Sequence, residues 1–228
     1  MHEVKEEVNQ PKYAFFDVDE TVISMKSMFS FMKIYFSYNK NTLLEKRFNY
    51  EMASLIKSDT DRRILNARYY SFFKYFSISS VNTACKIWFD KYSSKKEIFY
   101  NKNVIARLKL HQHNNIECVF VSGSFKELIQ LIADDLNIKN TLCINLEKKD
   151  HMYTGNIIPP QTIGYGKADA IKLFLSKNNA TNNQCFAYGD DISDVDMLET
   201  VTFPCVISGE KQLEKHAISA GWEIISPK

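Results

Sequence analysis

Hydrophobic and polar positions follow two different rhythms along this chain. Residues 13–16 form a short apolar run behind Pro11 and predict a buried strand. From residue 24 to 114 the rhythm is helical and almost free of Gly and Pro. Met25, Met28, Phe29, Met32, Tyr35 and Phe36 recur at spacings of three and four, as one helix face requires. Asp59 or Thr60 is a candidate cap for a helix reaching about Phe76, and Ser79 or Ser80 for another that contains Trp88. Four or five successive helices are expected here. Beyond Asn115 short apolar runs return. Strands are expected at 116–121, 184–188, 203–207 and 222–225, and a hairpin at 141–146 and 152–157 around Lys149 and Asp150. Between them lie helical patterns at 125–136, 166–176, 195–200 and 210–220. Strands alternating with helices predict an α/β fold, a mostly parallel sheet covered on both faces. The helical block reads as an insertion, which divides the chain into a core of residues 1–25 and 115–228 and a helical cap of 26–114.

Composition changes this picture little. The 228 residues are 45% hydrophobic, enough for a real core, and the net charge of +2 makes no case for nucleic acid. Residues 1–12 are polar and mixed in charge, without the apolar run of a signal peptide, and no stretch is long and apolar enough to span a bilayer. Cys85, Cys118, Cys143, Cys185 and Cys205 form no C-x-x-C pair, and buried reduced thiols are expected. These features predict a cytoplasmic protein with no membrane or nucleic-acid partner, a monomer or homodimer.

Candidate chemistry gathers at three expected strand ends. The first finishes in Asp17-Val18-Asp19, the second in Ser122-Gly123-Ser124, the third in Gly189-Asp190-Asp191 with Asp194 close behind. Ligands of open parallel sheets bind beyond such ends. Side chains two apart on an extended segment point the same way, so Asp17 and Asp19 can converge. An oxygen-rich cluster suits a hard cation such as Mg²⁺. Ser122 and Gly123 precede a helix whose amino end favours anions, and Lys167 follows Gly164 and Gly166. A carboxylate approaching a phosphate at about 3.5 Å meets repulsion on the order of 5 kcal/mol per charge pair at an effective dielectric of ~20. Both cations therefore have work to do.

The ordered set of motifs resembles the haloacid dehalogenase superfamily, in its subfamily IB, the branch similar to phosphoserine phosphatases. D-x-D-x-T appears as Asp17-Val18-Asp19-Glu20-Thr21, the strand ending in Ser as Val119-Phe120-Val121-Ser122-Gly123, the Lys as Lys167, and G-D-x-x-x-D as Gly189 to Asp194. The resemblance implies a Rossmann-like core with a C1-type cap and an Mg²⁺-dependent phosphatase acting on a small-molecule phosphate ester. By position it implies Asp17 as nucleophile forming an aspartyl-phosphate and Asp19 as acid and base. It further implies Asp17, the Asp19 carbonyl and Asp190 as metal ligands, Asp194 behind them, and Ser122, Gly123 and Lys167 on the phosphoryl oxygens. Phosphoserine phosphatases carry a Glu soon after the first motif that reads the substrate amine. Residues 22–29 here hold no acid, which counts against phosphoserine.

Plainer readings stand beside these. The first motif could be a calcium loop, although Val22 occupies the position where a loop glycine is needed. Ser122-Gly123-Ser124 alone would be a turn and Lys167 a solvated lysine. Asp191 and Asp196 read as surface turn and helix residues, His111 and His113 as solvent-facing, and Arg62, Arg63 and Arg68 as a solvated helix face. Phe29, Phe31, Tyr35, Phe36 and Tyr38 read mainly as cap core, with part of the block lining a substrate pocket as the minority reading. A phosphotransferase using the same intermediate, and a non-enzymatic partner-binding protein with an aromatic cap, are the competing functions.

Overall fold

A computed structural model of the chain describes residues 12–228. The expectation for the polar leading segment, and with it the Pro11 boundary, lies outside them. Seven strands are β1 (Tyr13–Phe16), β2 (Glu117–Phe125), β3 (Asn140–Lys149), β4 (Met152–Ile158), β5 (Phe186–Gly189), β6 (Phe203–Ile207) and β7 (Glu223–Ile225). They form one sheet in the order β4-β3-β2-β1-β5-β6-β7. Every pairing is parallel except that of β3 with β4, so the expected mostly parallel α/β sheet is found. The hairpin turn falls on Asp150 and His151, both at positive φ, as a tight two-residue connection requires.

Period-two alternation explains how this sheet is buried on both sides. Ala14, Phe16, Cys118 and Phe120 point into one apolar cluster, while Phe15, Val119 and Val121 point into another. The second cluster is closed by α8 (Tyr165–Lys177), α9 (Val195–Leu198) and α10 (Lys211–Ala220). The first extends without a break into the helices between β1 and β2. Among the described residues these are six, α1 (Ser27–Asn39), α2 (Thr42–Lys57), α3 (Arg62–Ser71), α4 (Ile78–Ser93), the single turn α5 (Lys96–Phe99) and α6 (Lys102–His113). After β2 comes α7 (Lys126–Asp135), whose buried face joins the same cluster.

Three expectations for this block need correction. Asp61, not Asp59 or Thr60, caps α3 by accepting from the N–H of Arg63 at 2.8 Å. Ser77, rather than Ser79 or Ser80, caps α4 by accepting from Ser80 N–H at 3.1 Å. The α3 helix stops at Ser71 instead of reaching Phe76, because the chain there pairs with the hairpin. Tyr75 N–H donates to Tyr153 O and Tyr153 N–H to Phe76 O, both at 2.9 Å. Sheet-like backbone bonding outcompetes the helix in a segment whose apolar spacing suits either. His111 is likewise not solvent-facing. The α6 helix lies on the sheet, and His111 is buried with its ring nitrogen 2.7 Å from the Tyr188 hydroxyl, while His113 is exposed. All five cysteines are free and buried, as expected. Among the described residues no helix is long and apolar enough to cross a membrane.

Candidate active site

Chain order reverses around β1: β2 lies on one side of it and β5 on the other, so a crevice opens at their carboxyl ends. Asp17 leaves β1 there, with its N–H bonded to Tyr188 O at 2.9 Å. Ser122 and Gly123 come from β2, Asp190 follows β5, and Lys167 stands in the first turn of α8. Lys167 Nζ donates to Asp17 Oδ1 and to Asp194 Oδ1, each at 2.6 Å. Asp19 Oδ2 accepts from the N–H and the hydroxyl of Ser27, the first residue of α1, at 2.9 and 3.0 Å. Its other oxygen, Oδ1, is buried without a hydrogen-bond partner among the described residues. All seven residues selected from sequence line a single cavity of about 330 Å³.

Close backbone approach makes this possible. A Cβ at Gly189 would lie 2.8 Å from Asp194 Oδ2, so only glycine lets Asp194 fold back beneath the strand end. A Cβ at Gly166 would meet Gln161 O at 2.0 Å, which fixes the entry to α8 just before Lys167. The Gly123 carbonyl accepts from Asn66 Nδ2 and from the Tyr70 hydroxyl, both at 3.0 Å, and thereby ties α3 to the end of β2.

The electrostatics are those of crowded buried carboxylates. Burial raises the Asp17 carboxyl, and Lys167 only partly offsets it. Burial and then the neighbouring Asp17 raise Asp19 to about 7. Asp190 is raised by burial, then by Asp17 and Asp194. Burial alone would depress the Lys167 ammonium, but the Asp17 and Asp194 carboxylates together push it above the usual lysine range. One oxygen each from Asp17, Asp190 and Asp194 lies within 4.8 Å of the others, and Asp194 Oδ2 is buried without a hydrogen-bond partner among the described residues. An all-oxygen donor set with more negative charge than Lys167 balances fits a hard divalent cation. The resemblance puts Asp194 behind the metal, yet its carboxylate stands in the same group of oxygens.

Several contributors were not singled out from sequence. Thr21 donates to Asp190 Oδ1 at 2.7 Å and braces that carboxylate; its motif was visible, its partner was not. Ser27 carried no signal beyond lying near a helix start. Arg62 is exposed, as expected of a solvated face, but it is also paired: its guanidinium donates to Asp191 Oδ2 at 2.6 Å, and both residues line the cavity. Asp191 in turn caps the 3-10 turn Ile192–Asp194 by accepting from Ser193 N–H at 2.9 Å. Arg63 lies over the Tyr165 ring at 4.2 Å, and Arg68 pairs with Glu51. Asp196 is exposed, as expected. Phe31, Tyr35 and Phe36 are buried in the helical block and Tyr38 is about half exposed; of the aromatic block, Phe29 is the member that lines the cavity.

Known proteins share this fold. The family model for haloacid dehalogenase-like hydrolases matches residues 14–199. A probable phosphatase of Mycobacterium tuberculosis is 26% identical over 217 residues, covering 93% of this chain and 74% of the relative. A protein of unknown function from Bordetella pertussis Tohama I shares the fold at a TM-score of 0.84 with 17% identity, covering 96% of this chain and 100% of that one. A phosphoserine phosphatase solved as a phospho-aspartyl intermediate analogue superposes at 0.67 with 15% identity, over 96% and 94% of the two chains. The chain belongs to the haloacid dehalogenase-like hydrolases.

Proposed function

We propose that the protein is an Mg²⁺-dependent phosphatase of small-molecule phosphate monoesters, working through an aspartyl-phosphate on Asp17. The observation that carries this reading is the pairing of two differently held carboxylates in one cavity. Asp17 is fixed and charge-balanced by Lys167, whereas Asp19 keeps one buried oxygen free. That division suits a nucleophile beside an acid that later becomes a base.

Lys167 and the Ser122 hydroxyl bind the phosphoryl oxygens and orient the phosphorus toward Asp17. An Asp17 oxygen attacks, the bond from phosphorus to the ester oxygen breaks, and the proton on Asp19 passes to the departing alkoxide. Asp19, now ionised, takes a proton from a water that attacks phosphorus. The acyl-phosphate bond breaks, phosphate leaves, and Asp17 returns as a carboxylate. Asp17 and Asp190, with the Asp19 carbonyl, would hold Mg²⁺, and Asp194 stands beside them. The ion supplies positive charge for the phosphoryl oxygens as negative charge builds in the transition state. Helices α1–α5 serve as the cap over this site, while α6 belongs with the sheet it lies on.

Hydrolysis of an aryl phosphate with Mg²⁺ present tests the reading. Replacing Asp17 with Asn is expected to lower kcat by about 10⁴ or more, since no other group takes over attack, and EDTA is expected to silence the wild type. Full activity in either case would exclude the mechanism.

A further inference from the structure

Beyond the phosphoryl end, the cavity has a second half, and its chemistry is different. Its wall carries Met28 and Phe29 from α1, Ile56 from α2, and Leu65 and Tyr69 from α3. Tyr69 presents its ring, because its hydroxyl donates to Met28 O at 2.6 Å. Asn66, the polar residue among them, is committed on both sides of its amide. Nδ2 donates to Gly123 O and Oδ1 accepts from Gln161 Nε2, both at 3.0 Å. Thr60 has its hydroxyl 2.9 Å from that of Ser58.

The charges at the rim are also matched. Lys26 pairs with Glu20 at 3.1 Å and Arg62 with Asp191 at 2.6 Å. Asp59 is the remaining charged lining residue there, and it has no ion-pair partner among the described residues. Three carboxylates therefore face two cations around the opening. A second carboxylate or phosphate on the substrate would have to displace an existing pair and would still meet net negative charge. On the wall itself Asn66, Tyr69 and Thr60 already have partners, so an uncharged polar group set against them would lose its water without gaining a hydrogen bond.

We infer that the substrates are monoesters with one phosphate and a largely apolar alcohol, without a second anionic group, of about one ring or a short hydrocarbon chain. This rests on the phosphatase reading above and adds the leaving group to it. Recognition is divided: the strand ends hold the phosphate, and α1, α2 and α3 hold the hydrocarbon by burial.

The test is steady-state hydrolysis by the full chain with Mg²⁺ of 2-phenylethyl phosphate, O-phosphoserine, 3-phosphoglycerate and acetyl phosphate. kcat/KM for 2-phenylethyl phosphate is expected to exceed that for phosphoserine and for 3-phosphoglycerate by about tenfold or more, the worth of burying much of a ring. Phe29→Ala is expected to cut the ratio of 2-phenylethyl phosphate to acetyl phosphate turnover by about tenfold. If that variant does not fold, Leu65→Ser, at a half-buried position, should move the same ratio in the same direction. Equal or better turnover of either polar ester, or a ratio indifferent to both substitutions, overturns the inference while leaving a phosphatase. A wild type that cleaves none of the four, acetyl phosphate included, removes the phosphatase reading itself and the inference with it.

Discussion

The two halves of the cavity are built by opposite means. The phosphoryl half is made of backbone turns at three strand ends, where glycine lets carboxylates and an ammonium crowd within hydrogen-bond distance. The other half is a wall of apolar side chains on helices whose polar groups are already satisfied. In the first, removing one charge strands the rest. In the second, a substitution changes what fits. Damage to the floor should therefore affect every substrate alike, and damage to the wall should depend on the alcohol.

Lys167→Met is the most severe test of the floor. It leaves Asp17 and Asp194 buried without their shared cation, a loss that typically costs about 3–5 kcal/mol. Turnover is expected to fall by about 10³ or more for all esters, polar or apolar, because phosphate positioning and charge balance go together. Thermal unfolding should register the first effect and initial rates the second. A loss confined to one class of ester would break the division between floor and wall.

That division also explains what could be read in the sequence. Asp17, Asp19, Ser122 and Asp190 stand at or near strand ends, where a short apolar run followed by a fixed polar pattern nearly determines position, and Lys167 in the first turn of α8 is marked by Gly164 and Gly166 before it. Asp194 is legible for the same reason, since it closes the motif that Gly189 opens, and Gly189 has room for nothing larger beside it. The wall is different. Spacings of three and four mark Met28, Phe29, Met32, Tyr35 and Phe36 equally as one helix face, yet Met28 and Phe29 meet the cavity and the other three pack inward. Which of them does so depends on how α1 lies against α3, a tertiary fact with no local signature. The same holds for Ser27 and for the Arg62 contact with Asp191, residues 129 apart in the chain.

Beneath the floor, His111 gives a test that should leave the cavity's chemistry out of account. Burial, followed by the nearby Arg107, lowers its pKa from 6.5 to about 4. The folded state thus prefers the neutral ring. Stability from this group is complete above pH 6.5 and is lost as pH falls from there towards 4, by on the order of 2 kcal/mol after allowing for partial solvent access. Urea unfolding of wild type and His111→Gln between pH 7 and 4 should show the wild type losing more. Parallel curves would mean that the ring is already charged or solvated.

Ser27 joins the two halves, since the first residue of α1 holds the Asp19 carboxylate. Ser27→Ala removes one of the two donors on Oδ2, and its hydroxyl also lies 3.0 Å from that of Ser124. Asp19 matters most when the leaving alkoxide needs a proton. The variant is expected to slow an alkyl phosphate by about tenfold, roughly one hydrogen bond to a charged group, and an activated aryl phosphate much less. Equal slowing of both would show that Ser27 supports the fold around Asp19 and not the proton transfer.

The smallest expected effect belongs to Arg62, whose ion pair with Asp191 runs from α3 to the turn after β5. The arginine side chain is about half exposed, so solvent screens the pair and its loss should change stability by less than about 1 kcal/mol. Position argues for an effect on selectivity rather than on stability. The pair lies at the rim, where it both fixes α3 relative to the floor and occupies the cation that an anionic substrate would seek. Arg62→Ala should therefore leave apolar esters within about threefold of wild type, and should not improve 3-phosphoglycerate, because it leaves Asp191 unpaired and the rim more negative. Asp191→Asn makes the opposite change by freeing the guanidinium, and is expected to raise 3-phosphoglycerate turnover severalfold relative to 2-phenylethyl phosphate. If the two variants shift that ratio in the same direction, the rim acts through shape, and charge matching has no part in excluding a second anion.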